Sequence, residues 1–282
     1  MITVENLSFS YTRNPFLHDV NFTVPDGQIL GFLGPSGAGK STLQKILIGM
    51  LQGYGGSVTV DGREVKTQGK ALYERIGVVF EFPTLYEKLT ARQNLAFFGS
   101  LYAQTPRDAQ ALLAAVGLGP SADQRVSEFS KGMKTRLNFI KSLLQDPKYL
   151  FLDEPTSGLD PTNAQVIKEM ILAEKAMGKT VLLTTHNMQD AAELCDRVAF
   201  IVDGEMRALD TPHNFIRQKS ADEVVYTYAE AGREQTGACP LAKTGEDALL
   251  GRLIAENRLT TIHSREQTLG DVFMDIMGRV LA

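Results

Sequence analysis

Gly34-Pro35-Ser36-Gly37-Ala38-Gly39-Lys40-Ser41-Thr42 decides the reading of this 282-residue chain. The stretch fits the pattern G-x-x-x-x-G-K-[ST] and stands between a β-type run, QILGFL, and a helix carrying Leu43, Ile46, Leu47 and Met50 at helical spacing. Such a loop holds phosphate for plain reasons. Glycines let the backbone curl until successive N–H groups face phosphate oxygens, and the helix that follows adds the partial positive charge of its N-terminus. Lys40 is expected to reach the β- and γ-phosphates, and the Ser41 hydroxyl to ligate Mg²⁺. All nine residues are nucleotide-site candidates.

A second stretch, Tyr149-Leu150-Phe151-Leu152-Asp153-Glu154, is an apolar strand that delivers acid at its C-terminal end. Asp153 is expected to hold Mg²⁺ through water, and Glu154 to polarise an attacking water as general base. Around these two stretches the chain alternates. β-type runs ITVENLSFSY and DVNFTV precede QILGFL, separated by Asn14-Pro15 and Pro25-Asp26-Gly27. Strands are expected at 57–60, 76–80, 149–152, 181–184 and 198–202, and helices at 162–177 and 188–196. Residues 85–146 read as mostly helical. The pattern specifies an α/β P-loop NTPase with a mostly parallel sheet core and a small C-terminal α+β appendage. The main domain is placed at 1–217 and an accessory region at 218–282. Within the latter, 229–247 reads as polar and loop-prone. Leu269, Val272, Phe273, Ile276, Met277, Val280 and Leu281 form one helical stripe.

The bulk numbers narrow the choices. A net charge of -4 gives no broad basic footprint, so no nucleic-acid partner is expected. Cys195 and Cys239 lack metal-ligand spacing and read as two free thiols in a reducing compartment. No apolar stretch reaches the ~18–20 residues that span a bilayer, and the N-terminus has no signal-peptide pattern. Work at a membrane then means docking on another chain's helices.

The phosphate loop and the acidic strand alone leave kinases, GTPases, helicases and transport ATPases open. Phe129-Ser130-Lys131-Gly132-Met133-Lys134-Thr135-Arg136-Leu137 narrows the field, because it opens a helix and resembles the ABC signature, written LSGGQ. Asp153-Glu154-Pro155-Thr156-Ser157-Gly158-Leu159-Asp160-Pro161 is similar to that family's acidic strand running into its D-loop. Thr184-Thr185-His186 resembles its switch histidine, and Tyr11 stands where the family places an aromatic on adenine. The resemblance covers roughly residues 1–215. It implies an ATPase using ATP and Mg²⁺, with an N-terminal antiparallel β subdomain and a helical subdomain at about 82–147. Ser130, Lys131, Gly132 and Met133 would face the ATP of a second nucleotide-binding subunit, in a homodimer. Asp160 would join the two sites, and His186 would contact the γ-phosphate and hold catalytic geometry with Glu154. A separate membrane permease would dock on the helical subdomain, with Phe82, Pro83, Leu85 and Tyr86 as candidate contacts, so the subunit would lie in the cytoplasm on the inner face of the membrane.

Departures are informative too. Phe129, Lys131 and Met133 replace the family's Leu, first Gly and Gln. Lys131 reads either as added positive charge at the phosphate or as a solvated side chain. Glu81 stands where the family carries glutamine. An ionised glutamate only accepts hydrogen bonds and adds negative charge near Asp153 and Glu154, giving either direct Mg²⁺ ligation or weakened closure. Retained hydrolysis with altered coupling is the expectation. The Ser-Lys-Gly-Met-Lys signature and the closing TLGDVFMDIMGR resemble ATPases that export drugs, antibiotics or lipids. The alternatives are an importer ATPase and a soluble ABC ATPase acting away from membranes.

Overall fold

A parallel strand covered on both faces reads as an unbroken apolar run, because neither side of the pleat meets water. ILGFL, YLFLD and TVLLTT have that character, and every residue in them is buried. The computed structural model describes residues 1–219, 223–230, 232–265 and 267–281. They form two compact units, 1–211 and 212–282.

The first unit begins with β1 (Ile2–Phe9), β2 (Leu17–Val24), β3 (Ile29–Leu33) and α1 (Lys40–Leu47). There follow β4 (Gly55–Val60), β5 (Arg63–Glu64), the single turns α2 (Val65–Gln68) and α3 (Lys70–Tyr73), and β6 (Ile76–Val79). The helical segment holds α4 (Ala91–Gly99), α5 (Ala109–Ala115) and α6 (Lys131–Lys141). Then come β7 (Tyr149–Asp153), α7 (Pro161–Ala176), β8 (Thr180–Thr185), α8 (Met188–Leu194), β9 (Arg197–Val202) and β10 (Glu205–Asp210).

Two sheets result. One is four-stranded, in the order β2-β1-β4-β5, and antiparallel throughout. The other is six-stranded, β10-β9-β3-β8-β7-β6, and parallel except for β10 at its edge. A single core joins them. Ile2, Val4, Val58 and Val60 pack with Leu43, Ile46 and Leu47 of α1 and with Phe32, Phe151, Leu182, Ala199 and Ile201. The fold is therefore the α/β P-loop architecture that the alternation predicts, with an antiparallel layer at its N-terminal end.

Register decides where function can sit. Leu33 pairs with Thr185, and Asp153 pairs with Thr184. β3, β7 and β8 therefore end side by side, and the loops after them leave from one edge of the sheet. That carboxyl edge is where open α/β sheets place their ligands.

The helical segment is less continuous than its composition suggests: α4, α5 and α6 are short and joined by loops and two 3₁₀ turns. Their starts are well specified. Thr90 and Gln93 make a reciprocal capping box on α4, Ser130 caps α6, and Asp160 caps α7 ahead of Pro161.

The second unit holds α9 (Pro212–Lys219), β11 (Glu223–Glu230), β12 (Arg233–Pro240), α10 (Ala248–Ala255), β13 (Leu259–Ser264) and α11 (Leu269–Leu281). Its sheet runs β12-β11-β13, antiparallel, over a core of Val224, Tyr226, Cys239, Leu250 and Leu253. One expectation is corrected here, since the stretch 229–247 contains β12. As an edge strand with only Cys239 buried, β12 shows no alternation for a sequence reading to find. Of the terminal stripe, Leu269 and Val272 are buried and Phe273, Ile276 and Met277 half-buried, while the side chains of Val280 and Leu281 lie outside those described. Both cysteines are buried free thiols, and burial pushes the Cys195 thiol far above the ordinary range.

Phe151 lies in the shared core with no exposed surface. Phe151→Ala should cost about 3–5 kcal/mol, because it removes apolar area and leaves a cavity between α1 and the sheet. The check is the midpoint of urea unfolding, followed by a probe in the first unit.

Candidate phosphate and catalytic site

The loop after β3 is shaped by contacts that only glycine permits. A Cβ on Gly34 would stand 2.1 Å from the Ile201 carbonyl oxygen, so the loop can leave the sheet here only without a side chain. Gly39, just ahead of α1, has φ +110°, a region that favours glycine. Gly37 also has positive φ, and Ala38 donates its N–H to the Pro35 carbonyl at 3.3 Å, closing the turn. Lys40 opens α1 and donates to the carbonyls of Gly34 at 2.7 Å and Pro35 at 2.9 Å. Burial holds its pKa below the usual lysine value, while Glu154, Asp153 and Glu81 pull the other way. Lys40 is thus a half-buried cation among three carboxylates.

Those carboxylates reach the loop from two neighbouring strands. Asp153 ends β7 and is 8% exposed, and the Thr184 hydroxyl of β8 donates to it. Glu154 follows with φ +50°, a left-handed conformation for a residue that carries a Cβ. Its N–H donates to the Thr184 carbonyl at 3.0 Å, and its own carbonyl accepts from the Ser157 N–H at 3.1 Å. A left-handed non-glycine residue costs of order 1–3 kcal/mol, persists only where the surroundings over-determine it, and is concentrated at functional sites. Glu81 stands two residues after the end of β6 and is exposed.

His186 follows β8. Its Nδ1 lies 2.8 Å from Glu154 Oε1, and the Thr185 hydroxyl donates to Glu154 Oε2 at 3.4 Å. The structure therefore brings Ser36, Gly37, Gly39, Lys40, Ser41, Thr42, Glu81, Asp153, Glu154 and His186 onto one open cavity of ~360 Å³. The remaining loop residues, Gly34, Pro35 and Ala38, shape it from behind.

Other expected residues stand elsewhere. Tyr11 is 56% exposed and does not line the cavity; its hydroxyl shares a hydrogen bond with Thr42 Oγ1 at 3.0 Å. Its ring meets Phe16 edge-on, centroids 5.5 Å apart, and Phe16 does line the cavity. Ser130 caps α6 by accepting from the Met133 N–H at 3.2 Å. Ser130 and Lys131 are exposed, Gly132 and Met133 half-buried, and none of the four lines the cavity. The Lys131 stem crosses Gly158, where an added Cβ would come within 2.8 Å of its Cε. Asp160 is exposed, accepts from the Asn163 N–H at 3.0 Å, and is kept below the usual carboxylate range by the Asn163 side chain and backbone.

Phe16 and Ser157 line the cavity without being legible as site residues in the sequence. Phe16 is a lone aromatic beside Pro15, one position before β2. Only the fold, which sets β2 against the phosphate loop, reveals its place. Ser157 lies inside a quoted motif, and its N–H bond to the Glu154 carbonyl is the signal that motif spacing leaves out.

For a metal, the donors here are a serine hydroxyl and two carboxylates, Ser41, Asp153 and Glu81, which are hard oxygens suited to Mg²⁺. Among the described residues no cluster of three His, Cys, Asp or Glu side chains can hold a metal unaided.

A family model described as "ABC transporter" matches residues 17–157. Over its full length the chain is 48% identical to a fluoroquinolones export ATP-binding protein of Mycobacterium tuberculosis (strain CDC 1551 / Oshkosh), covering 94% of that protein. It is 40% identical, over 80% of its length, to Nod factor export ATP-binding protein I of Rhizobium meliloti (strain 1021), covering 69% of it. The solved ATP-binding subunit of an ABC transporter superposes with a TM-score of 0.71 at 30% identity, over 77% of this chain and 92% of that one.

Lys40→Met removes the cation of the cavity while keeping the length of the side chain. It should weaken ATP binding by about 10–100-fold, the worth of charge-assisted hydrogen bonds, with the fold intact. Calorimetric titration of ATP alongside circular dichroism checks both halves.

Proposed function

The chain belongs to the ABC transporter family, and from that premise we propose that it is the subunit that binds and hydrolyses ATP to drive export through a separate membrane permease. The observation that carries the chemistry is the Glu154–His186 contact, 2.8 Å, on the wall of the cavity that holds Lys40, Ser41 and Asp153. The names of the two relatives, ATP-binding proteins of fluoroquinolone export and of Nod factor export, support a small molecule or lipid as cargo.

The phosphates lie along residues 34–42, with Lys40 on the β- and γ-phosphates. Ser41, Asp153 and Glu81 would hold Mg²⁺, which supplies charge neutralisation when bound. Glu154 accepts a proton from a water whose oxygen attacks the γ-phosphorus. The bond from that phosphorus to the β–γ bridging oxygen breaks, giving ADP and phosphate. His186 fixes the Glu154 carboxylate and contacts the γ-phosphate. Glu81 in place of glutamine adds negative charge beside Lys40, so hydrolysis is retained and its link to the permease is altered. Tyr11 and Phe16 offer aromatic faces for the base.

The signature residues lie off the cavity of their own chain, which supports a site completed by a second copy. Ser130, Lys131, Gly132 and Met133 would serve the partner's ATP, and Asp160 would join the two sites. Residues 1–217 form the working cassette and 218–282 an accessory region. No helix among the described residues is long and apolar enough to cross a membrane. Exposed aromatics after β6, Phe82 at 77% and Tyr86 at 49%, support this stretch as the permease contact. That contact holds the subunit at the inner face of the membrane.

Hydrolysis of Mg-ATP, measured over a range of protein concentrations, should show a specific activity that rises with concentration. Glu154→Gln should lower it by about 100-fold or more, the range for a general base. Flat activity that is equal in the two proteins would sink the proposal.

A further inference from the structure

We propose that Thr156 and Asp190, backed by Lys168, form a part-buried stitch that holds Glu154 and His186 in their working geometry. Thr156 and Asp190 are positioning residues; neither lines the phosphate cavity. The inference rests on the reading of Glu154 as the base.

The dyad itself has little to hold it. The His186 side chain is 74% exposed, so packing does not fix the imidazole, and its bond to Glu154 is the side-chain contact that orients it. Glu154 in turn sits at φ +50°, a conformation that relaxes unless its loop is constrained. Two loops must therefore be kept in register, one after β7 and one after β8. Pairing between β7 and β8 runs as far as Asp153 and Thr184, and the Glu154 N–H adds one further bond to the Thr184 carbonyl.

Beyond that point the Thr156 hydroxyl donates to Asp190 Oδ2 at 2.7 Å, tying the loop that follows Glu154 to the helix that follows His186. Asp190 is 7% exposed, and its N–H donates to Asn187 Oδ1 at 3.2 Å, which anchors it in the first turn of α8. Lys168 of α7 approaches the other Asp190 oxygen at 3.4 Å and also pairs with Glu193. A cavity of ~560 Å³ runs alongside and is lined by Thr156, Lys168 and Asp190 as well as by Glu154 and His186. The stitch and the dyad thus share a wall. A buried ion pair is a poor way to gain stability, because desolvation offsets its attraction, and its best-attested use is to fix one arrangement over others. Here the arrangement it fixes is the spacing of two catalytic loops.

Steady-state hydrolysis of Mg-ATP by the full chain, at a concentration where the wild type is active, tests this. Thr156→Val keeps the shape and removes the donor. It should lower kcat by about 10–100-fold, the cost of misplacing a catalytic group by about an ångström, with KM for ATP and the melting temperature close to wild type. Thr156→Ser should restore most of kcat. Asp190→Asn, whose amide oxygen still accepts from Thr156, should retain far more activity than Asp190→Leu. Wild-type kcat in Thr156→Val overturns the stitch. So does a loss that raises KM, lowers the melting temperature and is not rescued by serine, since that would mark a merely structural contact. Glu154→Gln, measured beside them, separates the two claims. If it hydrolyses at the wild-type rate, the base assignment falls and takes the stitch with it. If it is inactive while Thr156→Val is fully active, only the stitch falls.

Discussion

Backbone pairing between β3, β8 and β7 is the constraint on which the rest of the site depends. Leu33 lies beside Thr185 and Asp153 beside Thr184, so three strands end level and release their loops together. A slip of one residue between β7 and β8 would turn every side chain of β7 to the opposite face. Asp153 would then leave the cavity, and Glu154 would lose its N–H bond to the Thr184 carbonyl. The buried apolar runs that make these strands recognisable also make their register costly to change. Core packing and catalytic geometry are set by the same residues.

Electrostatics explains why so few groups suffice. Lys40 is partly withdrawn from water, which weakens its hold on its proton, yet three carboxylates nearby favour its charge. The loop carbonyls of Gly34 and Pro35 accept from it at close range. A triphosphate entering this cavity would meet a cation already aimed along the loop, and acids that could share a divalent ion. Preorganisation of that kind removes reorganisation from the reactive step and is a large part of how such sites work.

Much of this was legible in the sequence where function is written in contiguous residues. The phosphate loop, Asp153-Glu154 and Thr184-Thr185-His186 each occupy a strand end and the few residues after it, so spacing and residue type carry the reading. Phe16 was not legible, because its role depends on β2 lying against the phosphate loop. Nor were Thr156 and Asp190, a hydrogen bond between residues far apart in sequence with no periodic signal. β12 escaped for the opposite reason: as an exposed edge it needs no apolar alternation, so its polar composition reads as loop. In each case the missing information is tertiary: which surfaces face each other, and which edges remain open.

In the proposed mechanism, Glu154, His186 and Lys40 of one chain meet the γ-phosphate opposite the signature of another. A structure of the Glu154→Gln protein with Mg-ATP tests it most directly. Two copies should enclose the nucleotide, with the γ-phosphate contacted by Lys40 and His186 of one protomer and by Ser130 and Gly132 of its partner. A nucleotide held by a single chain with Ser130 facing solvent, or a γ-phosphate out of reach of residue 154, would contradict it.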